Sequence, residues 1–317
     1  MIAELTDLEF ERLKAEYKRE NDGYKKSLIF HVGTAAGFYS EVGSILEAMC
    51  YCHLHEIKFI LYADDANFSN DQGWGVFFEE FCEMSRDVIN KTENLRCKKR
   101  GIIATIKRFR IKKQLGVTYL TADLFQKIIS PKLKATHIEW PLFDMNGTVY
   151  PEAGKLKQFV LRYNMETKNA INKMIEELCL PNNYASVQIR GGDKITETEL
   201  TGAKETVDII KQCGDYGKIK NMFVFTDDYL NITVVRKLCP EWNIFTLCKE
   251  TESGYDNTEF NKGSWEDKKR ELIKLFAMVE ICIASDKHYA YEKSCANNII
   301  RNCKPAEKYF AVVKTFY

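Results

Sequence analysis

The chain has 317 residues, of which 45% are hydrophobic and 29% are charged, which is typical of a globular protein large enough for two domains. Its 46 basic residues nearly balance its 45 acidic ones, so the net charge of +1 gives no general attraction to nucleic acid. The segment from Met1 to Lys26 is charged throughout, and the longest apolar runs are only strand-length. These features predict neither a signal peptide nor a membrane-spanning helix, and we expect a soluble, cytoplasmic protein.

Eleven cysteines are scattered along the chain. The close pair Cys50 and Cys52 has no His or Cys partners at the spacing of a zinc site. Other cysteines fall inside apolar runs, including Cys248 and Cys282, which the pattern places on strands. We interpret the cysteines as buried free thiols of a reducing compartment.

The N-terminal half begins with an α/β pattern. Apolar runs at 27–32 and 57–62 predict two strands, and the helix between them is predicted to start at Ser40. Beyond residue 75 the pattern becomes mostly helical and irregular. A helix over 165–179 leads into the second half, and we divide the chain into an N-terminal domain, 1–165, and a C-terminal domain, 166–317.

The C-terminal half alternates strands and helices four times. Strands are predicted at 184–189, 222–225, 243–247 and 281–284, and helices at 203–213, 229–238, 265–279 and 287–301. Ser264 and Asp267 resemble a capping box at the start of the third helix. Such alternation predicts a parallel, doubly wound sheet, so the expected fold class is α/β with two Rossmann-like domains.

Polar residues follow three of the predicted strands of this half. Ligands of open α/β sheets bind outside the carboxyl ends of the strands. The segments at those ends are 190–194 (Arg-Gly-Gly-Asp-Lys), 226–228 (Thr-Asp-Asp) and 285–288 (Ser-Asp-Lys-His). Taken singly, each is typical of a turn or a helix N-cap. Together they favour a phosphate-binding site, since arginine forks and backbone amides suit phosphate oxygens.

The segment Val187-Gln-Ile-Arg-Gly-Gly-Asp-Lys194 resembles the His-X-Arg-Arg-X-Asp-Lys motif of the α1,6-, α1,2- and protein O-fucosyltransferase superfamily. The segments 223–228 and 280–287 are similar to the second and third motifs of that family, in the same order. The resemblance covers about residues 160–305. It implies a GT-B fold and an inverting transfer from GDP-fucose without a metal or other cofactor.

The resemblance also assigns roles to individual residues. Arg190 matches the arginine that grips the donor β-phosphate. Gln188 and Gly191 depart from the motif, which has a histidine and a second arginine at these positions. The base that activates the acceptor is expected at Glu197 or Glu199. The remaining donor-side positions implied by the resemblance are Asp193, Lys194, Thr226, Asp227, Asp228, Ser285, Asp286, Lys287 and His288.

The N-terminal half offers residues for the acceptor side. The loop from Gly33 to Gly37, followed by Phe38, is similar to the first loop of a GT-B acceptor domain. Asp64 and Asp65 end the second strand and, like Trp74, are candidates for holding an acceptor sugar. The same two carboxylates also fit the Asp-X-Asp type of metal site, so a metal-dependent GT-A transferase is an alternative.

The segment from Cys97 to Lys113 is strongly basic, and its apolar residues recur near helical spacing. A solvated helix face is one interpretation, and contact with an anionic acceptor or a membrane surface is another.

The leading hypothesis is therefore a metal-independent, inverting glycosyltransferase that moves fucose from GDP-fucose to a glycan hydroxyl. The expected partners are a nucleotide-sugar donor and a glycan acceptor, with no nucleic acid and no integral membrane segment. Besides the GT-A alternative, a nucleotide-sugar-binding module without activity is consistent with the departures at Gln188 and Gly191.

Overall fold

The structure is a computed structural model that describes residues 5–33, 36–97, 101–191, 202–214, 216–291 and 294–312. The described chain divides into two compact units, with the boundary between Glu166 and Thr167. The elements before this boundary are α1 (Asp7–Asp22), β1 (Lys26–His31), α2 (Phe38–Leu54), β2 (Ile57–Tyr62), α3 (Ile89–Glu93), α4 (Ile102–Leu115), β3 (Tyr119–Leu120), α5 (Thr121–Ile128), α6 (Pro131–Lys134), β4 (His137–Trp140), β5 (Met145–Thr148), α7 (Val149–Glu152) and α8 (Lys157–Val160). Those at or after it are α9 (Met165–Glu177), β6 (Ala185–Gln188), α10 (Ala203–Lys211), β7 (Asn221–Phe225), α11 (Tyr229–Leu238), β8 (Asn243–Phe245), α12 (Asn257–Lys262), α13 (Trp265–Ala284), β9 (Lys287–Tyr291), α14 (Cys295–Cys303) and β10 (Tyr309–Val312).

The N-terminal unit is built on a parallel sheet with the strand order β2-β1-β3. The last four residues of β1 and of β2 are buried, as expected where both faces of a parallel sheet are covered. Helix α2 joins β1 to β2 and begins at Phe38, after an N-cap at Gly37 and two residues before the predicted N-cap at Ser40. A separate antiparallel pair is formed by β4 and β5.

The C-terminal unit contains a five-stranded parallel sheet with the order β10-β9-β6-β7-β8. Helices α10 and α11 pack against one face, where Val187 lies among Val207, Ile210 and Val235. Helices α13 and α14 cover the other face. There Ser186 contacts the hydroxyl of Ser285, which follows α13, and the ring of His288 on β9, which in turn contacts Asn297 of α14. The predicted α/β class with doubly wound, Rossmann-like units is confirmed.

The prediction of a strand at 281–284 was wrong. These residues form the last turn of α13, which runs on to Ala284, and the fourth strand of the unit is β9. All four residues are apolar, and a short apolar run of this kind cannot be told from a buried strand by periodicity. The predicted helix over 287–301 consequently starts too early, since α14 begins at Cys295.

The cysteines of the described chain divide by environment. Cys50, Cys52, Cys239, Cys248 and Cys282 are buried free thiols, as predicted, and burial raises the pKa of the Cys248 thiol to about 12. Other cysteines are exposed, namely Cys97, Cys179 and Cys295. Cys282 lies on α13 and not on a strand.

Candidate functional site

The strand order of the C-terminal sheet places a topological switch point between β6 and β9. The chain continues from β6 through β7 to β8 in one direction and then returns to add β9 and β10 on the other side. In open parallel sheets, the crevice for a ligand lies at such a reversal, outside the carboxyl ends of the strands. The segment that leaves β6 therefore lies at the expected edge of the sheet.

An arginine–carboxylate pair joins the carboxyl ends of β6 and β7. Arg190 follows β6, and its Nη1 lies 2.9 Å from Oδ2 of Asp227, which follows β7. Both side chains are partly buried, with exposed fractions of 21% and 15%. The backbone N–H of Gly191 donates to the other oxygen of Asp227 at 2.8 Å. One carboxylate thus holds both the side chain and the backbone of the 190–191 segment.

A second loop supports the same pair. The backbone N–H of Tyr255 donates to Oδ2 of Asp227 at 3.2 Å, and that of Gly254 donates to the Asp227 carbonyl at 2.8 Å. The ring of Tyr255 lies 5.4 Å from the guanidinium carbon of Arg190, within range of a cation–π interaction. Gly254 has a φ of 109°, which favours glycine. Sequence reasoning missed this loop, although the Gly-Tyr pair in a polar stretch after β8 is a signal for it.

Gly191 passes very close to the residues that follow β7. A Cβ atom at this position would lie 3.0 Å from Cβ of Asp228 and 3.3 Å from Oδ1 of Asp227. The larger arginine of the fucosyltransferase motif does not fit this packing without a shift. The departure from the motif at Gly191 therefore has a steric explanation.

Gln188 ends β6 on the same side of the strand as Ser186 and is only 4% exposed. Its Oε1 atom is buried and has no hydrogen-bond partner among the described residues. Buried polar atoms are nearly always paired in proteins, so Oε1 at the carboxyl end of β6 is a candidate acceptor for a donor outside the described residues, including one from a ligand.

The residues after β7 divide into two roles. Thr226 is buried, and its hydroxyl accepts from the backbone N–H of Asp228 and from the side chain of Asn231. Asp228 is the N-cap of α11 and accepts from the N–H of Leu230 at 2.9 Å. The carboxylate that holds the 190–191 segment is therefore Asp227, whereas Asp228 mainly starts a helix.

The structure does not bring 285–288 to this edge. Ser285 ends α13, and Lys287 and His288 begin β9 opposite Ala185 and Ser186, at the amino end of the sheet. His288 is fully buried, between the Ser186 hydroxyl at 2.7 Å and Oδ1 of Asn297 at 3.0 Å. The predicted helix N-terminus at this segment does not exist, and Ser285, Asp286, Lys287 and His288 are not placed for phosphate contact.

The segment that does reach the carboxyl edge from this part of the chain is the start of α14. Ser294 is its N-cap, and the helix follows β9 directly after residues 292–293, which lie outside the described ranges. Sequence reasoning missed it because β9 was predicted to be helical. The alternating aromatic residues Tyr289 and Tyr291 were the available signal for a strand.

Some predicted site residues cannot be placed. Asp193, Lys194, Glu197 and Glu199 lie outside the described residues.

The predicted acceptor-side residues of the N-terminal unit are engaged within that unit. Trp74 is 1% exposed and stacks on Phe78 at 4.9 Å, and Phe38 packs in the same aromatic cluster. The N–H of Gly33 donates to Glu41 at 2.8 Å, whereas Gly37 is exposed. A role in sugar binding is therefore not supported for Phe38 or Trp74, whose rings are buried in the core.

The two carboxylates that follow β2, Asp64 and Asp65, are also paired. Asp64 binds the side chain of Arg86. Oδ1 of Asp65 lies 2.8 Å from Nε2 of the buried His31, whose Nδ1 lies 2.9 Å from the Asn94 carbonyl.

Among the residues that the structure describes, no group of three or more His, Cys, Asp or Glu side chains is arranged to hold a metal ion. In the same ranges, no helix combines the length and apolar content needed to cross a bilayer.

Comparisons with solved structures agree with this architecture. NodZ α-1,6-fucosyltransferase crystallised with GDP is similar over 88% of this chain and 93% of its own, with a TM-score of 0.50 and 15% sequence identity. The chain has the GT-B-like fold of the fucosyltransferases. Fucosyltransferase NodZ from Bradyrhizobium matches with a TM-score of 0.51 and 14% identity, over 88% of this chain and 94% of its own.

No protein-family model matches the sequence, and no curated protein matches it by sequence. The GT-A alternative based on Asp64 and Asp65 does not agree with this fold.

Proposed function

We propose that the chain is a metal-independent, inverting glycosyltransferase that transfers fucose from GDP-fucose to a glycan hydroxyl. The observation that carries the proposal is the Arg190–Asp227 pair at the carboxyl ends of β6 and β7, beside the switch point. It lies within the segment that resembles the fucosyltransferase motif. The fold that the chain shares with NodZ, which was crystallised with GDP, supports the same donor class.

The chemistry follows from the charge on the leaving group. When the bond between C1 of the sugar and the phosphate oxygen breaks, negative charge grows on the nucleoside diphosphate. Groups fixed in place before the reaction stabilise that charge best. In this proposal Arg190 binds the β-phosphate, while Asp227 and the Tyr255 ring hold its guanidinium in position. The amides at the start of α14 add positive potential at the same edge.

The acceptor hydroxyl needs a base, because inversion requires direct attack on C1 from the opposite side. We keep Glu197 or Glu199 as the proposed base, since both follow the Arg190 segment closely in sequence. A base of this kind removes the proton from the hydroxyl as the new glycosidic bond forms.

The nucleotide is proposed to be GDP, with Gln188 contacting the donor through its unpaired Oε1 atom. A ligand that binds only the folded state raises the melting temperature, so GDP, UDP and CMP can be ranked by thermal shift. We expect GDP to bind about tenfold more tightly than UDP, because a site built around hydrogen bonds rejects a mismatched base.

Transfer from GDP-fucose to glycan acceptors, followed as release of GDP, then tests the activity itself. A preference for UDP would contradict the donor assignment and leave the fold unaffected. Tight GDP binding without turnover of any GDP-sugar would instead identify a nucleotide-binding module without activity.

A further inference from the structure

Helix α4 has one face that is packed and one that is not. Ile111 is buried, and Leu115 packs against Ile29, Ile60 and Tyr62 of the N-terminal sheet. On the opposite side, Ile102 and Ile103 are 80% and 84% exposed, Phe109 is 67% exposed and Ile106 is 49% exposed. The described residues contain eleven exposed large hydrophobic side chains, and these four lie on a single helix. Their concentration distinguishes α4 from a surface with scattered apolar residues.

The exposed apolar residues continue directly into basic ones. Ile102, Ile106 and Phe109 are spaced so that they share one helix face, and Arg110 and Lys113 follow one turn later on that face. Arg110 and Lys113 form no ion pair with any residue that the structure describes. The sequence between Glu93 and Asp123 contains no acidic residue at all. The surface formed by these residues, with Ile103, is called the α4 face below.

Other basic residues of α4 form ion pairs within the N-terminal unit. Lys107 pairs with Glu93 at 2.6 Å, and Arg108 pairs with Asp123 at 3.0 Å. These pairs attach the helix to the unit and leave the α4 face directed away from the sheet. The helix is therefore fixed in position by its packed side, and binding through the other side needs no refolding.

We propose that the α4 face binds an anionic lipid membrane, with α4 lying flat in the interface. A helix of this composition buries its apolar side chains at the boundary of headgroups and acyl chains, while lysine and arginine contact the anionic headgroups. Nucleic acid or an acidic glycan would pair with the basic residues and would leave the isoleucines and the phenylalanine unused. With 14 residues, α4 is too short to span a bilayer, so it binds on the surface.

The experiment is co-sedimentation of the full chain with lipid vesicles. We expect binding to phosphatidylcholine vesicles that contain about 30% phosphatidylserine, and little binding to phosphatidylcholine alone. Raising the salt from about 0.1 M to about 0.5 M should weaken binding because it screens the surface charge. The double variants Ile102→Ser/Phe109→Ser and Arg110→Gln/Lys113→Gln should each weaken binding about tenfold or more.

Matched controls lie elsewhere on the surface. Leu8→Ser/Leu230→Ser removes two other exposed apolar side chains, and Lys25→Gln/Lys132→Gln removes two other exposed charges; neither should change binding. Circular dichroism checks that every variant is folded. The proposal is overturned if the wild type does not bind the anionic vesicles. It is also overturned if the apolar variant binds as the wild type does while heparin competes fully, since the surface then recognises a polyanion.

Discussion

At the scale of single residues, the candidate site depends on how Asp227 is used. Its carboxylate accepts from Arg190, Gly191 and Tyr255, three groups that come from two loops. A carboxylate shared in this way fixes the direction of the guanidinium before any ligand arrives. Preorganisation of that kind reduces the reorganisation needed when charge develops on a leaving group.

Replacement of Arg190 tests the site most directly. Arg190→Ala should lower kcat/KM about a hundredfold or more, because a charge-assisted contact with the diphosphate is lost. Arg236→Ala is a matched control, since Arg236 also contacts a tyrosine ring but lies on the exposed side of α11. Steady-state transfer assays compare the two. If Arg190→Ala keeps more than about a third of wild-type kcat/KM, the donor site is assigned to the wrong residues.

Gly191 provides a steric test of the same segment. Gly191→Ala places a methyl group 3.0 Å from Cβ of Asp228, so the 190–191 segment must shift and donor affinity should fall about tenfold. Gly202→Ala, where a Cβ meets no atom of the described residues within 4 Å, should leave affinity unchanged. Calorimetric titration with GDP measures both. Equal affinities for the two variants would mean that the close approach at Gly191 has no part in binding.

At the scale of elements, a buried polar network joins β6, β9, α13 and α14. Neutral His288 accepts from the Ser186 hydroxyl and donates to Asn297, so both ring nitrogens are paired. Nearby, the Lys304 ammonium donates to the carbonyls of Ile283 and Ser285 at the end of α13, and burial lowers its pKa to about 8. This cluster holds the sheet and its helices together at the edge away from the candidate site.

The network predicts an acid-sensitive stability. Burial lowers the pKa of His288 to about 4, whereas the unfolded chain takes up the proton near 6.5. The contribution of neutral His288 is therefore complete above pH 6.5 and is lost as the pH falls toward 4. Between pH 7 and pH 5 the loss is about 2 kcal/mol of unfolding free energy.

Urea unfolding of the wild type and of His288→Gln at both pH values measures this effect. The variant should be less stable at pH 7, and it should lose less stability on acidification than the wild type does. His137→Gln removes an exposed histidine and should behave as the wild type does. Identical pH dependence in the wild type and His288→Gln would contradict the assignment.

At the scale of the whole molecule, the proposed mechanism uses fixed positive charge where a GT-A enzyme uses a divalent cation. Transfer should therefore continue in excess EDTA, because Arg190 and the start of α14 supply the charge at the carboxyl edge of the C-terminal sheet. Asp64 and Asp65, the carboxylates that suggested a metal, are paired with Arg86 and His31. Complete inhibition by EDTA that Mg²⁺ or Mn²⁺ reverses would contradict this mechanism.

The sequence alone was sufficient for the α/β class and for most elements of the C-terminal unit. Strand β7 was predicted from a short run of apolar residues at 222–225, and helix α11 from apolar residues that recur near a period of 3.6. Arg190 could be singled out because it follows a strand within a family-like motif. Local pattern carries this information, since periodicity depends on which side of a single element is buried.

Only the tertiary structure decided the rest. Residues 281–284 are all apolar, so hydrophobic periodicity does not distinguish a helix from a strand there. Packing of α13 against β6 and β7 determines that these residues extend the helix. That difference moves His288 from the expected ligand edge to the opposite one and places the start of α14 after the carboxyl end of β9. The choice of Asp227 over Asp228, the contact of Tyr255 with Arg190 and the burial of Trp74 likewise depend on contacts between distant segments. Such contacts leave no local period in the sequence, because they arise only when separate strands and loops meet in the folded chain.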